Sequence, residues 1–319
     1  MLRTTCYFTL LLLFVFNAFG QQNEYNKTLW AVAWSPDGKY IATGGNQDEL
    51  KLFDANTFEL IKTYPVKNVQ LSRLKWHPFE NKLAVITQSK TFKAKILNLD
   101  DDIWTELKGL ENSFRGLDWN YNGTLLSVSE FEGFVSVFNT EGNRISRFKA
   151  NEKGAAGLDW HPKKNILVTV GTEVGIFNHL GDTLKMFETR TKEPFLLCVE
   201  WHKSGKFFAV GDYGDLEKAE NKLVQFWNTK GEKLKEIKGS IAEYRNLRWN
   251  KNGTKLATAS DALRIWDKKG NLLAESKSTD DYLWGIDWSP NGKYIVTSSS
   301  KGVITVWDKQ ANKIRVLQY

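Results

Sequence analysis

Seven tryptophans recur along the chain at a nearly constant distance, and this spacing constrains the fold more than any other feature. Each ends a short run of alternating apolar residues and is followed by a turn; the seven are Trp34, Trp76, Trp119, Trp160, Trp201, Trp249 and Trp288. The intervals average about 42 residues, so the chain is an array of seven similar units. We call each of these residues the marker Trp of its unit and count positions from it.

A second marker repeats in step with the first. Each unit closes a later apolar run with a large apolar residue followed by Asp or Asn, as in Trp266-Asp267 and Trp307-Asp308. In the last unit, alternating apolar residues bounded by turn residues predict four strands, at Leu283 to Trp288, Tyr294 to Ser298, Val303 to Trp307 and Ile314 to Leu317. No segment has a sustained helical period.

This pattern resembles the WD-repeat β-propeller family, in which units of 40 to 45 residues form four strands and Trp-Asp ends the third strand. The resemblance covers residues 29–319 and includes the family's Trp-Ser-Pro-Asp-Gly turn at Trp34 to Gly38, with a close variant at Trp288 to Gly292. No unit carries the family's Gly-His dipeptide, so the blades should rely more on aromatic packing. The resemblance implies an all-β, seven-bladed β-propeller of four-stranded antiparallel blades. Rings of this family usually close by letting the N-terminal strand complete the last blade, but this repeat begins with an inner strand at Leu29 and ends with an outer strand at Lys313 to Tyr319. We therefore expect each blade to be continuous in sequence and the seventh blade to pack against the first.

The N-terminal residues predict an export signal. A short basic start, an apolar run from Tyr7 to Phe16, and small residues at Ala18 and Gly20 are typical of a secretory signal peptide. The run is too short for a stable membrane anchor. We therefore predict a signal peptide at 1–20, a short segment at 21–28 and the propeller at 29–319, with blades starting near 29, 71, 114, 155, 196, 244 and 283. A secreted or periplasmic protein is expected.

Composition and position argue against several functions. The chain has 44 Lys and Arg against 37 Asp and Glu, and much of the Lys alternates in presumed outer strands, so no nucleic-acid partner is predicted. Three of the four histidines, His77, His161 and His202, occupy a turn position that Ser or Asn fills in other units, which indicates turn formers. No metal or cofactor is predicted, and Cys198 in its apolar run is expected to be a buried hydrophobe.

The position four residues before each marker Trp should lie at the rim of the central channel, on the face with the loops between strands two and three. It is Trp or Arg in four units and smaller or aliphatic in the others. Aromatic rings beside Arg are typical of binding hot spots. The candidate surface consists of Trp30, Tyr244, Arg245, Tyr282 and Trp284, with Arg115 as a further rim residue. The alternative is that the two Trp rings only fill the channel mouth.

The longest interval, in the fifth unit, adds a loop at Gly211 to Lys222 on the same face. Loop insertions on a binding face are candidates for function, so Asp212, Tyr213 and Asp215 form a secondary candidate. The loop lacks the ligand spacing of a calcium loop, and tolerated sequence drift explains it equally well.

The residue before the marker Trp is charged in six units: Lys75, Asp118, Asp159, Glu200, Arg248 and Asp287. Charges on an inner strand need partners or water, which indicates a solvated channel. Paired carboxylates could also serve a hydrolase, with Asp118, Asp159 and Glu200 as its acids.

The sequence therefore predicts a non-catalytic, monomeric interaction or scaffold module that binds a protein partner on the face of blades five, six, seven and one. Small-ligand or glycan binding at the channel mouth and the hydrolase remain alternatives. Asn26, Asn122 and Asn252 begin Asn-x-Thr sequons, which permit glycosylation only in a eukaryotic secretory route.

Overall fold

The computed structural model describes residues 27–66, 69–89, 92–111, 114–189, 195–214 and 222–318. It confirms the predicted fold class: the described residues form 28 strands in seven four-stranded antiparallel sheets. Within these ranges, no helix is long and apolar enough to cross a membrane. The predicted signal peptide at 1–20, Asn26 and Asp215 lie outside the described residues.

The first sixteen strands form four consecutive blades, each made of four strands that follow one another along the chain. Blade 1 contains β1 (Ala31–Trp34), β2 (Tyr40–Gly44), β3 (Glu49–Asp54) and β4 (Leu60–Pro65). Blade 2 contains β5 (Leu71–Trp76), β6 (Lys82–Thr87), β7 (Ala94–Asn98) and β8 (Ile103–Glu106). Blade 3 contains β9 (Phe114–Trp119), β10 (Leu125–Glu130), β11 (Phe134–Asn139) and β12 (Arg144–Lys149). Blade 4 contains β13 (Ala155–Trp160), β14 (Ile166–Gly171), β15 (Val174–Asn178) and β16 (Thr183–Phe187).

The last three blades have the same organisation. Blade 5 contains β17 (Leu196–Trp201), β18 (Phe207–Asp212), β19 (Val224–Asn228) and β20 (Lys233–Ile237). Blade 6 contains β21 (Asn246–Trp249), β22 (Lys255–Ala259), β23 (Leu263–Asp267) and β24 (Leu272–Glu275). Blade 7 contains β25 (Leu283–Trp288), β26 (Tyr294–Ser299), β27 (Ile304–Asp308) and β28 (Lys313–Leu317). In every blade, each strand pairs with the next along the chain.

The ring closes between blades 7 and 1 without exchange of a strand. The Leu29 amide donates to the Ser299 carbonyl over 3.0 Å, and the Thr28 hydroxyl donates to the Ser300 carbonyl over 2.9 Å. The inner strand of blade 1 also packs against the inner strand of blade 7. Each blade is thus a continuous unit of sequence, as the phase of the repeat indicates.

The hydrophobic core is distributed between neighbouring blades. At the closure, Leu29, Trp34 and Phe53 of blade 1 form one cluster with Val296 and Val306 of blade 7. The position five residues before the marker Trp is buried in all seven blades and belongs to this core; its residues are Leu29, Leu71, Phe114, Ala155, Leu196, Tyr244 and Leu283. Since a blade buries its apolar faces only against its neighbours, the closed ring stabilises every blade.

Candidate functional site

The marker Trp residues connect each blade to the one before it, in one of two ways. Where the preceding blade has a carboxylate just before its own marker Trp, that carboxylate accepts a bond from the Trp backbone N–H. These bonds measure 2.7 to 2.9 Å and join Trp34 to Asp287, Trp160 to Asp118, Trp201 to Asp159 and Trp249 to Glu200.

At the other three interfaces that residue is not acidic, and the indole N–H donates to its backbone carbonyl instead. These bonds measure 3.0 to 3.2 Å and join Trp76 to Ala33, Trp119 to Lys75 and Trp288 to Arg248. Either donor of a marker Trp can therefore link two blades, and the residue before the preceding marker Trp decides which one does.

The same charged residues form ion pairs around the channel. Lys75 Nζ lies 2.9 Å from Asp118 Oδ1 and 4.0 Å from Asp159 Oδ1, while Arg248 reaches carboxylate oxygens of Glu200 and Asp287, each at 3.5 Å. A cavity of about 400 Å³ opens at this end of the channel, which is the end with the turns after the inner strands. Its wall combines these charges with the marker Trp residues, so the predicted polar channel lining is present.

Two adjacent carboxylates in this ring have pKa values displaced in opposite directions. Burial raises the pKa of Asp118, but Lys75 and the Trp160 amide lower it by more, so it lies below the ordinary Asp value. Burial also raises the pKa of Asp159, and the neighbouring Asp118 carboxylate raises it further, to well above the ordinary value. A carboxylate next to another carboxylate, with its ammonium partner at 4.0 Å, resists ionisation.

The three carboxylates that a hydrolase would use as its acids have a structural role, because they form hydrogen bonds between neighbouring blades. Asp118, Asp159 and Glu200 each accept the amide of the next marker Trp. Among the described residues, no group of three or more His, Cys, Asp or Glu side chains could hold a metal ion.

The three turn histidines form turns, as predicted, and also connect blades. In each, Nε2 bonds to the carbonyl of the turn glycine in the next blade, at 2.7 to 3.1 Å; the pairs are His77 with Gly123, His161 with Gly205 and His202 with Gly253. Each ring also packs edge-on against the next marker Trp, with centroids 4.8 to 4.9 Å apart. Burial lowers the pKa of all three histidines. Sequence reasoning missed this contact, although each His precedes a unit that has Gly at the fourth position after its Trp.

On the opposite face, the residue type four positions before the marker Trp varies between blades, because this position lies outside the regular pairing of the inner strand with the second strand. In five blades the strand register shifts there, which is the mark of a β-bulge. In blades 1 and 6 the inner strand begins only after it, at Ala31 and Asn246. A residue at this position can therefore lie at the rim without disturbing the core.

Three of the predicted rim residues lie in contact across blades 6, 7 and 1, and we call them the rim cluster: Trp30, Trp284 and Arg245. The two indole rings meet at 66°, with centroids 4.3 Å apart. The Arg245 guanidinium lies 4.0 Å from the Trp284 ring centroid and forms an ion pair with Glu243. The Trp30 indole N–H donates to Asn46 Oδ1 over 2.6 Å. All three side chains are half-buried, so each keeps part of its surface exposed.

Of the two tyrosines predicted for this surface, one is exposed and the other is buried. Tyr282, just before the inner strand of blade 7, is 42% exposed. The prediction that Tyr244 lies on the surface was wrong. Tyr244 is 0% exposed and packs in the core between blades 5 and 6 with Leu247 and Trp249. Its position, five before the marker Trp, is core in every blade, so the prediction placed a core residue on the surface.

Three further candidates, Arg115, Asp212 and Tyr213, lie elsewhere on this face. Arg115 belongs to blade 3, where its guanidinium lies 5.3 Å from the Phe131 ring centroid. Asp212 is 1% exposed, and its carboxylate accepts the amides of Gly214 and Leu223, so it fixes both ends of the inserted loop. Tyr213 beside it is half-buried. Asp212 therefore has a structural role at the base of the loop.

The fold and its interfaces define a seven-bladed β-propeller of repeated four-stranded units. A family model described as the anaphase-promoting complex subunit 4 WD40 domain matches residues 13–79, and one described as WD domain, G-beta repeat matches residues 270–308. Together with the seven blades, these matches place the chain in the WD-repeat β-propeller family.

Two of the three curated relatives described here are named for the WD repeat. The WD repeat-containing protein WDS homolog of Arabidopsis thaliana is 25% identical over 240 residues, which cover 72% of this chain and 44% of the relative. The F-box-like/WD repeat-containing protein TBL1X of Homo sapiens is 28% identical over 94 residues, or 28% of this chain and 16% of the relative. Minichromosome loss protein 1 of Schizosaccharomyces pombe is 24% identical over 165 residues, or 48% and 20%. The matched region spans less than half the length of each relative.

Proposed function

We propose that this chain is a non-catalytic interaction module that binds a protein partner through the rim cluster and the neighbouring Tyr282. The WD-repeat relatives imply a propeller that acts as a protein-interaction scaffold. The observation that supports this particular face is the continuous contact of Trp30, Trp284 and Arg245 across three blades.

The rim cluster has the chemistry and the order expected of a binding hot spot. Trp and Arg are enriched among the residues that contribute most to protein interfaces. Asn46 fixes the Trp30 ring, and Glu243 fixes the Arg245 guanidinium. Because these side chains are already ordered, a partner loses little of its binding free energy to ordering them. Tyr282 adds exposed aromatic surface with a hydroxyl that can form hydrogen bonds.

A capture experiment with matched variants tests the proposal. Wild type, the double variant Trp30→Ala plus Trp284→Ala, and Phe79→Ala are used as bait, and captured proteins are quantified by mass spectrometry. Phe79 is 74% exposed in the turn after the blade 2 marker Trp, on the opposite face, so its variant controls for loss of an exposed ring. We expect a partner retained by Phe79→Ala and lost by the double variant. Equal capture by all three folded proteins would contradict the rim cluster as the binding surface.

We also propose that residues 1–20 direct export and that the exported protein is a monomer without a stable membrane anchor. The support is the basic, apolar and small-residue order of this segment. N-terminal sequencing of the exported protein should begin at Gln21, and light scattering should give a monomer mass. Retention of Met1 in a cytoplasmic protein would contradict export.

A further inference from the structure

The cavity at the turn end of the channel has more carboxylates than cations in its wall. The carboxylates are Asp118, Asp159, Glu200 and Asp287, and the cations are Lys75, Lys203 and Arg248. The nearest cation lies 2.9 Å from Asp118, and 3.5 Å from both Glu200 and Asp287. For Asp159 this distance is 4.0 Å, so this carboxylate is the least well paired of the four.

Asp159 keeps one carboxylate oxygen without a hydrogen bond. Its Oδ2 accepts the Trp201 amide over 2.7 Å. Its Oδ1 accepts no hydrogen bond from the part of the chain that the structure describes, and the ammonium 4.0 Å away belongs to Lys75, which lies closer to Asp118. The side chain is only 9% exposed, and Oδ1 is not sealed off by protein atoms. It therefore opens into the cavity whose wall Asp159 helps to form.

A carboxylate in this setting is stabilised by a further cation that reaches its free oxygen. Removal from bulk water destabilises the charged form unless a donor compensates it. Burial and the neighbouring Asp118 carboxylate raise the pKa of Asp159, which is the expected effect of a missing cation. Because only one oxygen is free, a compact ammonium fits it better than a guanidinium, whose fork pairs best with two oxygens.

The rest of the cavity wall suits the apolar part of a ligand. Three prolines of the turns after the inner strands, Pro36, Pro78 and Pro162, line it together with marker Trp residues. Its volume of about 400 Å³ lies within the range of small-molecule sites. A ligand that matches this wall combines a charged group for Asp159 with a short hydrocarbon chain.

We propose that this cavity binds a small aliphatic primary amine, whose ammonium group donates to Oδ1 of Asp159 and whose carbon chain packs against the turn prolines. The cavity lies at the opposite end of the channel from the rim cluster, so binding does not depend on a protein partner there. A free amine and the side chain of a peptide lysine carry the same group, and the test separates the two.

Titration of the full chain with n-butylammonium chloride, followed by isothermal calorimetry and thermal unfolding, tests the site. Sodium chloride and tetramethylammonium chloride at the same ionic strength are the comparisons. n-Butylammonium should bind wild type and raise its Tm, whereas tetramethylammonium, which has no N–H donor, should do neither. Nα-acetyl-lysine methylamide is the second amine. Binding of both amines would mean that the site also accepts a peptide lysine, and binding of n-butylammonium alone would assign it to free amines.

Three variants connect the binding to Asp159. Asp159→Asn keeps an acceptor for the Trp201 amide but loses the charge, so the Kd for n-butylammonium should rise about tenfold or more. Asp280→Asn is the matched control and should bind as wild type does, because Asp280 is 87% exposed and does not line the cavity. Lys75→Met removes the competing ammonium and should lower the Kd.

Three results would overturn the proposal. The first is a wild-type Tm and heat signal that do not differ between n-butylammonium and sodium chloride, which would mean that Lys75 and water satisfy Asp159. The second is an equal response to n-butylammonium and tetramethylammonium, which would exclude the hydrogen bond to Oδ1. The third is an equal response in wild type and Asp159→Asn, which would place the amine elsewhere. If Lys75→Met does not fold, Asp159→Asn and its control decide the question.

Discussion

The backbone N–H of Trp34 donates to Asp287 Oδ2 over 2.8 Å, and this bond joins blade 1 to blade 7 across 253 residues of sequence. It is the only one of the four Trp-to-carboxylate bonds described that spans the ends of the array, since the other three connect consecutive blades. The same interface motif thus both propagates along the repeat and closes the ring.

We predict that Asp287→Ala destabilises the protein by about 1–3 kcal/mol, because it leaves the buried Trp34 amide without its acceptor. Asp287→Asn should cost less, since an amide oxygen can still accept this bond. Asp280→Ala is the matched control, because Asp280 is 87% exposed and pairs only with Lys301 among the described residues. Urea unfolding measures all three. Equal stability of Asp287→Ala and Asp280→Ala would show that the bond does not hold the ring closed.

Replacing either of the two neighbouring channel carboxylates, Asp118 or Asp159, by Asn should change the free energy of unfolding, but in opposite directions. Asp118 has a lowered pKa, so its charge stabilises the folded state above the ordinary Asp pKa, and Asp118→Asn should lower the free energy of unfolding at pH 7. Asp159 has a raised pKa, so its ionisation destabilises the folded state as the pH rises. Asp159→Asn keeps an acceptor for Trp201 without the charge and should raise the free energy of unfolding at pH 7.

Urea unfolding at pH 5 and pH 8 checks this pair of variants. The gain from Asp159→Asn should be larger at pH 8, where the wild-type carboxylate is closer to full ionisation. Destabilisation by both variants to the same extent would mean that the Asp159 charge is compensated in the folded protein.

The structural features that recur in every blade were predicted from the sequence, whereas those that differ between blades were predicted only in part or not at all. The spacing of Trp34, Trp76 and their equivalents predicted the strands, the turns and the blade order, because each blade repeats one local hydrogen-bond pattern. The contact between Trp30 and Trp284 was predicted only as a neighbourhood, since β-bulges and rotamers set the actual packing. The choice between amide and indole links was not predicted, because it depends on distances between separate sheets.

Stability should fall as the pH decreases below about 6.5, partly because of His77, His161 and His202. Burial holds the pKa of each below the ordinary value of 6.5, so the unfolded chain takes up protons first. This contribution is complete above pH 6.5 and is lost as the pH falls through the folded pKa values.

A triple variant with Asn at these three positions tests the histidine contribution. Asn occupies the same turn position in blades 3 and 6, at Asn120 and Asn250. The free energy of unfolding, measured from pH 8 to pH 5, should decline less steeply in the triple variant than in wild type. The carboxylates titrate in both proteins, so the difference isolates the histidines. Parallel curves would mean that protonation does not disturb the inter-blade contacts.

Two glycines at the same turn position should differ in their tolerance of a methyl group. Gly123 and Gly292 have φ angles of 75° and 68°, so alanine is strained at both by about 1–2 kcal/mol. A Cβ at Gly123 would lie 2.2 Å from His77 Nε2, whereas nothing lies within 4 Å of a Cβ at Gly292. Gly123→Ala should therefore destabilise the protein by about 1–3 kcal/mol more than Gly292→Ala, since it also displaces the His77 bond to the next blade.

A double-mutant cycle separates the blade contact from the backbone strain. In a His77→Ala background the ring is absent, so the loss of stability from Gly123→Ala should shrink to that of Gly292→Ala. Urea unfolding of the four proteins of the cycle, with Gly292→Ala in both backgrounds as the control, measures the difference. An unchanged effect of Gly123→Ala in the His77→Ala background would mean that backbone strain alone explains it and that the His77 ring adjusts freely. The predicted coupling instead makes the turn glycine of one blade part of the support for the histidine of the blade before it.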